Sequence, residues 1–237
     1  MPDPVTTRTT QQDSAPRHTR AERLVQHIRS RVLPDPGRRA ALRAAVGLEP
    51  GEPRTFHAIR EIARFLPADP TPATERAFLA VAAMMCAQPP RGRKQDLDAG
   101  KNPDGTQDSA DNDGQGASAQ TADTDDAATN STTRFERAPS LGESCAKAVT
   151  MGRAKEATIE SRLHSLCRGS SAQVHRQLPA LVSYLGNLSI PVHWAGLIDD
   201  LAAWDRSRHQ IAARWLRDFH RNTVTPIEKA DNDKENA

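Results

Sequence analysis

Few residues in this 237-residue chain are spaced for chemistry on a bound substrate. His164 and Cys167 stand three apart on what reads as one helix face, a spacing that metal ligands use. No second pair completes a four-ligand site, so the pair reads as ordinary helix residues. Ser144-Cys145 offers a hydroxyl and a thiol, with no histidine close in sequence to activate either. Asp199, Asp200 and Asp205 are the kind of carboxylates that hold a catalytic divalent ion, and a nuclease using Asp199 and Asp200 is one reading of them. They fall on an amphipathic helix, where exposed carboxylates are the ordinary outcome. The sequence has no Gly-rich phosphate loop followed by Lys and Ser or Thr, no helical His pair flanking a Glu and no C-x-x-C pair. The chain therefore reads as a non-enzyme, with no cofactor and no metal.

The residues that do gather are cations. Arg38, Arg39 and Arg43 lie in one short helix; Arg39 and Arg43 share a face opposite Ala and Leu. Arg38 stands in the first turn, where the helix dipole disfavours a positive charge, so helix stabilisation alone explains it poorly. A second group is Arg153, Lys155, Arg162, Arg168 and Arg176, with few acids interleaved beyond Glu156 and Glu160. A third includes Arg214 and Arg217, in a stripe with Arg221 opposite Trp215 and Phe219. There Asp218, four from Arg214 and three from Arg221, offers helix salt bridges that absorb much of the charge. Binding to a nucleic-acid backbone needs several Lys or Arg on a common surface and no particular motif. A solvated helix face is the alternative for each group.

Helices must position these side chains. Ala and Arg are abundant, β-branched runs are scarce, and the aromatic content is 4%, which favours helix over strand. In a first block over 19–90, Leu24, Val25, Ile28 and Val32 recur at helical spacing before Pro34. Further helices follow over 38–46 and from Phe56 to Leu66. Residues 74–88, apolar around most of their circumference, read as the buried helix. In a second block over 136–222, Ser140 and Glu143 form a capping-box pattern. Ile159, Leu163 and Leu166 mark the next helix, and Val174 to Leu185 a longer one, with Pro179 as a kink. Trp194 to Trp204, then Ile211, Trp215 and Phe219, close the block. The three tryptophans sit among apolar helix positions and read as core. The expected fold is all-α: a compact bundle of eight to nine helices in two blocks.

The net charge of +2 averages unlike parts. Residues 95–133 hold nine Asp and one Lys, a charge of −8, so the rest of the chain carries +10. Leu97 is the one large apolar residue of that stretch, which cannot bury enough surface to offset its ordering entropy. Residues 91–135 accordingly read as a disordered acidic insert, tolerated between the blocks or competing with nucleic acid for the basic face. Residues 1–18 and 223–237 read as disordered tails. No apolar run resembles a signal peptide or a membrane span, and three scattered cysteines fit a reducing compartment, so the expected location is cytoplasmic.

Beyond spacing, the order of several short motifs is informative. Leu33-Pro34-Asp35-Pro36-Gly37-Arg38-Arg39-Ala40-Ala41-Leu42-Arg43 is followed by Leu66-Pro67-Ala68-Asp69-Pro70, Ser140-Leu141-Gly142, Pro191-Val192-His193-Trp194, Trp204-Asp205, Arg214-Trp215 and Asp218-Phe219. In this order they resemble the CasB family, the small subunits of Cascade, the type I-E CRISPR surveillance complex. The resemblance implies a helical fold without catalytic activity, paired as two copies with other Cascade subunits. It also implies contact with the guide RNA and with target DNA, including the displaced strand, through basic residues of the inner surface. It carries Arg38, Arg39, Arg43 and Arg162 as contacts, with Arg214 and Arg217 after them. The chain departs from the family pattern at Glu143, where Arg is usual, and at Pro179, Ser183 and Gly186, near positions where the family carries several Arg. A helical protein-binding scaffold without nucleic-acid contact is the alternative function.

Overall fold

Thr19 starts the first helix with a capping box: its hydroxyl accepts from the Glu22 N–H, and the Glu22 carboxylate accepts from the Thr19 N–H at 2.7 Å. The computed structural model describes residues 19–101 and 138–223. Helix α1 (Arg20–His27) runs on into a π turn, Ile28–Val32. Helix α2 (Pro36–Arg43) has Asp35 as its N-cap, accepting from the N–H groups of Gly37 and Arg38, with Pro36 in the first turn. It stops at Arg43, before the expected Val46. Helix α3 (Phe56–Ile62) tightens into a 3₁₀ turn, Ala63–Phe65, and α4 (Pro72–Ala87) begins at the Thr71 cap.

After α5 (Pro90–Lys101), the second block opens with α6 (Leu141–Thr150), and the Ser140–Glu143 capping box is present. Helices α7 (Glu156–Arg168) and α8 (Ser171–Asn187) follow, and α8 runs through Pro179 as a single helix. Helix α9 (Trp194–Thr223) joins the last two expected helices across a break at Ser207 (φ −130°, ψ 23°). Among the described residues there are nine α-helices and no strand, and no helix is long and apolar enough to cross a membrane.

Both blocks feed one hydrophobic core. Helix α4 is its axis: Leu79, Val81, Ala82 and Met85 are fully buried, and the helix packs on α2, α8 and α9. Trp194, Trp204 and Trp215 are all buried, as their apolar neighbours predict. Trp204 and Trp215 lie with ring centroids 5.0 Å apart, on opposite sides of the Ser207 break. Two close approaches need glycine. Gly142 of α6 sits against the Trp215 carbonyl of α9 with no room for a Cβ. Helices α5 and α8 meet at Gly92 and Gly186, where a Cβ on Gly92 would lie 3.0 Å from the Gly186 Cα.

Helix α5 corrects the expected insert boundary. Residues 91–101 form a helix docked on the core instead of the start of a disordered segment. Composition is misleading here because the docking contacts are long-range. Asp96, 6% exposed, accepts from Arg29 at 3.1 Å and from the Trp194 indole at 2.8 Å. Gln95 donates to the Ser189 carbonyl at 2.7 Å, and Leu97 packs against the core. The disorder expected for 1–18, for the remainder of the insert and for the tail beyond Thr223 lies outside the described residues.

Candidate nucleic-acid interface

Availability decides which arginines can meet a phosphate, and several are already engaged. Arg38 forks onto Glu61 of α3, with Nε donating at 3.0 Å and a terminal nitrogen at 2.6 Å. His27 of α1 reaches the same carboxylate at 3.4 Å, and Arg64 hydrogen-bonds the other ring nitrogen of His27 while lying 4.7 Å over the Phe65 ring. Burial raises the Glu61 pKa, but the Arg38 and His27 hydrogen bonds outweigh it and hold the carboxyl below its usual range. Burial, reinforced by the Arg64 charge, lowers the His27 pKa. This network accounts for a cation in the first turn of α2: Arg38 serves a carboxylate 23 residues downstream. Arg39 donates to the Leu33 carbonyl at 2.8 Å and ties α2 to the end of the π turn.

The second block has a matching lock. Asp200, 7% exposed, accepts from the Trp215 indole at 2.7 Å and pairs with Arg214. The expected Arg214–Asp218 helix bridge is replaced by this contact across the Ser207 break, and Asp218 is itself buried. The expectation of exposed carboxylates therefore fails at Asp200, whose two oxygens hold α9 together, whereas Asp199 is exposed. Ser144 donates to the Pro191 carbonyl at 3.0 Å, and burial pushes the neighbouring Cys145 thiol up to about 12, which removes its nucleophilic form.

Two more candidates have structural contacts but stay exposed. Arg153 donates to the Leu188 and Ser189 carbonyls at 2.7 and 3.1 Å, clasping the link between α8 and α9. The Arg162 guanidinium lies 4.5 Å from the Tyr184 ring centroid, bridging α7 to α8. The other five candidates, Arg43, Lys155, Arg168, Arg176 and Arg217, are exposed, and none has an acidic partner among the described residues. Arg168, in the last turn of α7, is placed favourably for the helix dipole and lines a concavity with Ser161, Ser165 and Gln173. Arg176 of α8 lines a small cleft with Gly47, Leu48 and Arg76, where the two blocks meet. Arg217 lines the concavity at the Ser207 break with Asp199 and Arg214.

One basic groove escapes sequence reasoning. Arg23, Arg29, Arg31 and Arg64 line a cavity of about 770 Å³ walled by α1, the π turn, α5 and the start of α9, with Glu22 at its edge. Arg29 is held by Asp96 and Arg64 by His27, whereas Arg23 and Arg31 are exposed with no partner among the described residues. Arg23 and Arg31 flank the apolar stripe of the first helix, which is the one signal in the sequence; Arg64 joins them only through folding.

The family of the CRISPR-associated protein Cse2 matches residues 38–220. No curated protein matches the chain. Among solved structures, a chain of a "CRISPR RNA-guided surveillance complex, pre-nicking" is 33% identical, with a TM-score of 0.68 over 89% of this chain and 97% of that one. A chain of a second "CRISPR RNA-guided surveillance complex" is 32% identical, with a TM-score of 0.66 over the same shares. The M. ruber CasB crystal structure shares the fold at 17% identity, with a TM-score of 0.57 over 92% of this chain and 99% of that one. The match spans α2 to α9, including every sequence-predicted cation from Arg38 to Arg217, and the chain belongs to the CRISPR-associated protein Cse2 family.

Proposed function

We propose that the chain is the non-catalytic small subunit of a type I-E Cascade surveillance complex, where it holds nucleic-acid backbone through exposed cations and stabilises the opened target. The observation that carries this reading is the 33% identity to a surveillance-complex chain of which 97% is covered. The partners are the other Cascade subunits, the guide RNA, target DNA with its displaced strand, and a second copy of this chain. Three free cysteines fit a cytoplasmic setting.

Opening a target against a guide is nearly balanced, because the heteroduplex formed is about as stable as the duplex it replaces. Contacts to the displaced strand totalling about 1.4 kcal/mol therefore shift the balance tenfold. The exposed set, Arg43, Lys155, Arg168, Arg176 and Arg217, supplies such contacts without reading sequence, since backbone phosphates are alike at every step. If about four phosphates are neutralised, log affinity for single strands falls with log salt at a slope of roughly −3.

The test is reconstitution with the guide-RNA-containing complex, followed by charge reversal of the exposed set and measurement of R-loop lifetime. Co-purification with the complex and a shortened lifetime are expected. Failure to co-purify rejects the subunit assignment, and a salt-independent lifetime rejects the electrostatic account. A protein-binding scaffold is the second reading, favoured by the exposed Phe56 and Met151. It prevails if charge reversal leaves the R-loop intact while Phe56→Ser abolishes assembly.

A further inference from the structure

Where α7 meets the last turn of α9, Glu160, His164 and His220 converge. Glu160 and His164 are one turn apart on α7, and His220 faces them from α9. The Glu160 carboxylate lies 3.7 Å from His164 Nε2 and 3.9 Å from His220 Nε2. One ligand-capable atom from each residue lies within 4.8 Å of the other two. The backbones beneath are fixed by the core: Ile159 and Leu163 of α7, and Trp215 and Phe219 of α9, are fully buried. The Phe219 ring lies edge-on to His220 at 5.2 Å. The three side chains are between 37% and 49% exposed, which leaves them free to rotate and leaves water free to complete a coordination shell.

We propose that Glu160, His164 and His220 form a binding site for a divalent transition-metal ion of the zinc class. Two imidazoles and one carboxylate suit Zn²⁺, Co²⁺ or Ni²⁺, whereas Mg²⁺ and Ca²⁺ take oxygen shells. Metal–ligand bonds of about 2.0–2.2 Å set the ligand atoms of a tetrahedral site about 3.3–3.5 Å apart. The two carboxylate–imidazole separations exceed this by a few tenths of an ångström, and the two imidazoles, within 4.8 Å of one another at their ligand atoms, close up by side-chain rotation. The i, i+4 pair on one helix fixes two ligands on one face, and the third comes from a neighbouring helix. The remaining positions open onto the concavity lined by Ser161, Ser165 and Arg168. Arg168, which lines the same concavity, is a positive charge that opposes the ion and makes this site weaker than a four-ligand structural zinc site. Cys167, the metal ligand that sequence spacing pairs with His164, directs its thiol to the Ala212 carbonyl instead. A bound ion ties α7 to the end of α9 and reverses the sign of the charge at Glu160, beside Arg168.

The full chain, stripped of metal by chelation, is titrated with ZnCl₂ by calorimetry and with CoCl₂ by visible absorption. One ion per chain, Co²⁺ ligand-field bands of low coordination number and a raised melting midpoint with Zn²⁺ are expected. His164→Ala and His220→Ala each weaken binding about tenfold or more, because each removes one of three ligands. Cys167→Ser leaves binding unchanged. Both histidines are surface residues, and His220→Gln provides a milder variant should an alanine variant fold poorly. Absence of uptake by the unaltered chain overturns the proposal. So does binding that survives both histidine substitutions or is lost with Cys167→Ser, since either places the ion elsewhere.

Discussion

Arg38 and Arg39 of α2 direct their donors to Glu61 and to the Leu33 carbonyl, whereas Arg168 and Arg176, on α7 and α8, meet no acid among the described residues. The two groups carry the same charge on helices of the same bundle. They differ in whether an acceptor of the fold, a buried carboxylate for Arg38 and a backbone carbonyl for Arg39, lies within reach. Glu61 in the first block and Asp200 in the second are two such gathering points, and each engages an arginine. An arginine fork on a buried carboxylate is structural, because removing either partner strands the other. An arginine without that partner meets a phosphate at the cost of its own side-chain ordering and strands no buried charge. Of the three α2 arginines that the family resemblance carries as contacts, Arg43 is the exposed one.

The largest test of this division is Asp200→Ala. It leaves the Arg214 guanidinium and the Trp215 indole N–H without their shared acceptor and should destabilise the fold by about 4 kcal/mol, read from urea unfolding. A loss under about 1 kcal/mol would place the pair among ordinary surface bridges and dissolve the contrast.

Next in size is acid sensitivity. His175 of α8 is buried, and burial with the Arg76 charge depresses its pKa to about 4. The unfolded chain takes up this proton near pH 6.5 and the folded chain only near 4, so between those values the unfolded state binds more protons. Stability is therefore full above about pH 6.5 and falls through the window, by about 3 kcal/mol at its lower end. His175→Gln should flatten most of that slope, while the His27 and His193 pKa values, also lowered by burial, leave a smaller one of the same sign. An unchanged slope in the variant would show that His175 is protonated in the fold.

Arg168→Glu with Arg176→Glu is expected to cost no more than about 1–2 kcal/mol of unfolding free energy, most of it from the reversed charge of Arg168 at the end of α7, since both side chains are exposed. Single-strand affinity should drop by about tenfold or more, and the salt slope should become shallower by about 1.4. Lost stability with unchanged affinity would reverse the assignment. The smallest effect belongs to Arg39→Ala. Loss of its bond to the Leu33 carbonyl should cost about 1 kcal/mol and leave affinity for nucleic acid unaltered.

Local patterns were legible because local physics generates them. The Ser140–Glu143 box and the apolar circumference of α4 both use contacts within a turn or two of helix. The tryptophans were legible for the same reason. Helix α5 was not: its Asp and Gly residues have the composition of a linker, and what folds them is Arg29, Trp194 and Ser189, each at least 67 residues away in sequence. The basic groove of Arg23, Arg31 and Arg64 was hidden likewise.

By itself, then, the sequence determined the helical class, the two blocks and, through the order of its short motifs, the family. Periodicity, caps and motif order are properties of neighbours along the chain. Only the tertiary structure decided which charges are free. An arginine's state depends on the nearest buried carboxylate, and Glu61, Asp96 and Asp200 find their arginines across helix packings. The same reasoning separates His164 from Cys167 and sets it beside Glu160 and His220, since only the packing of α9 on α7 brings that third side chain into place.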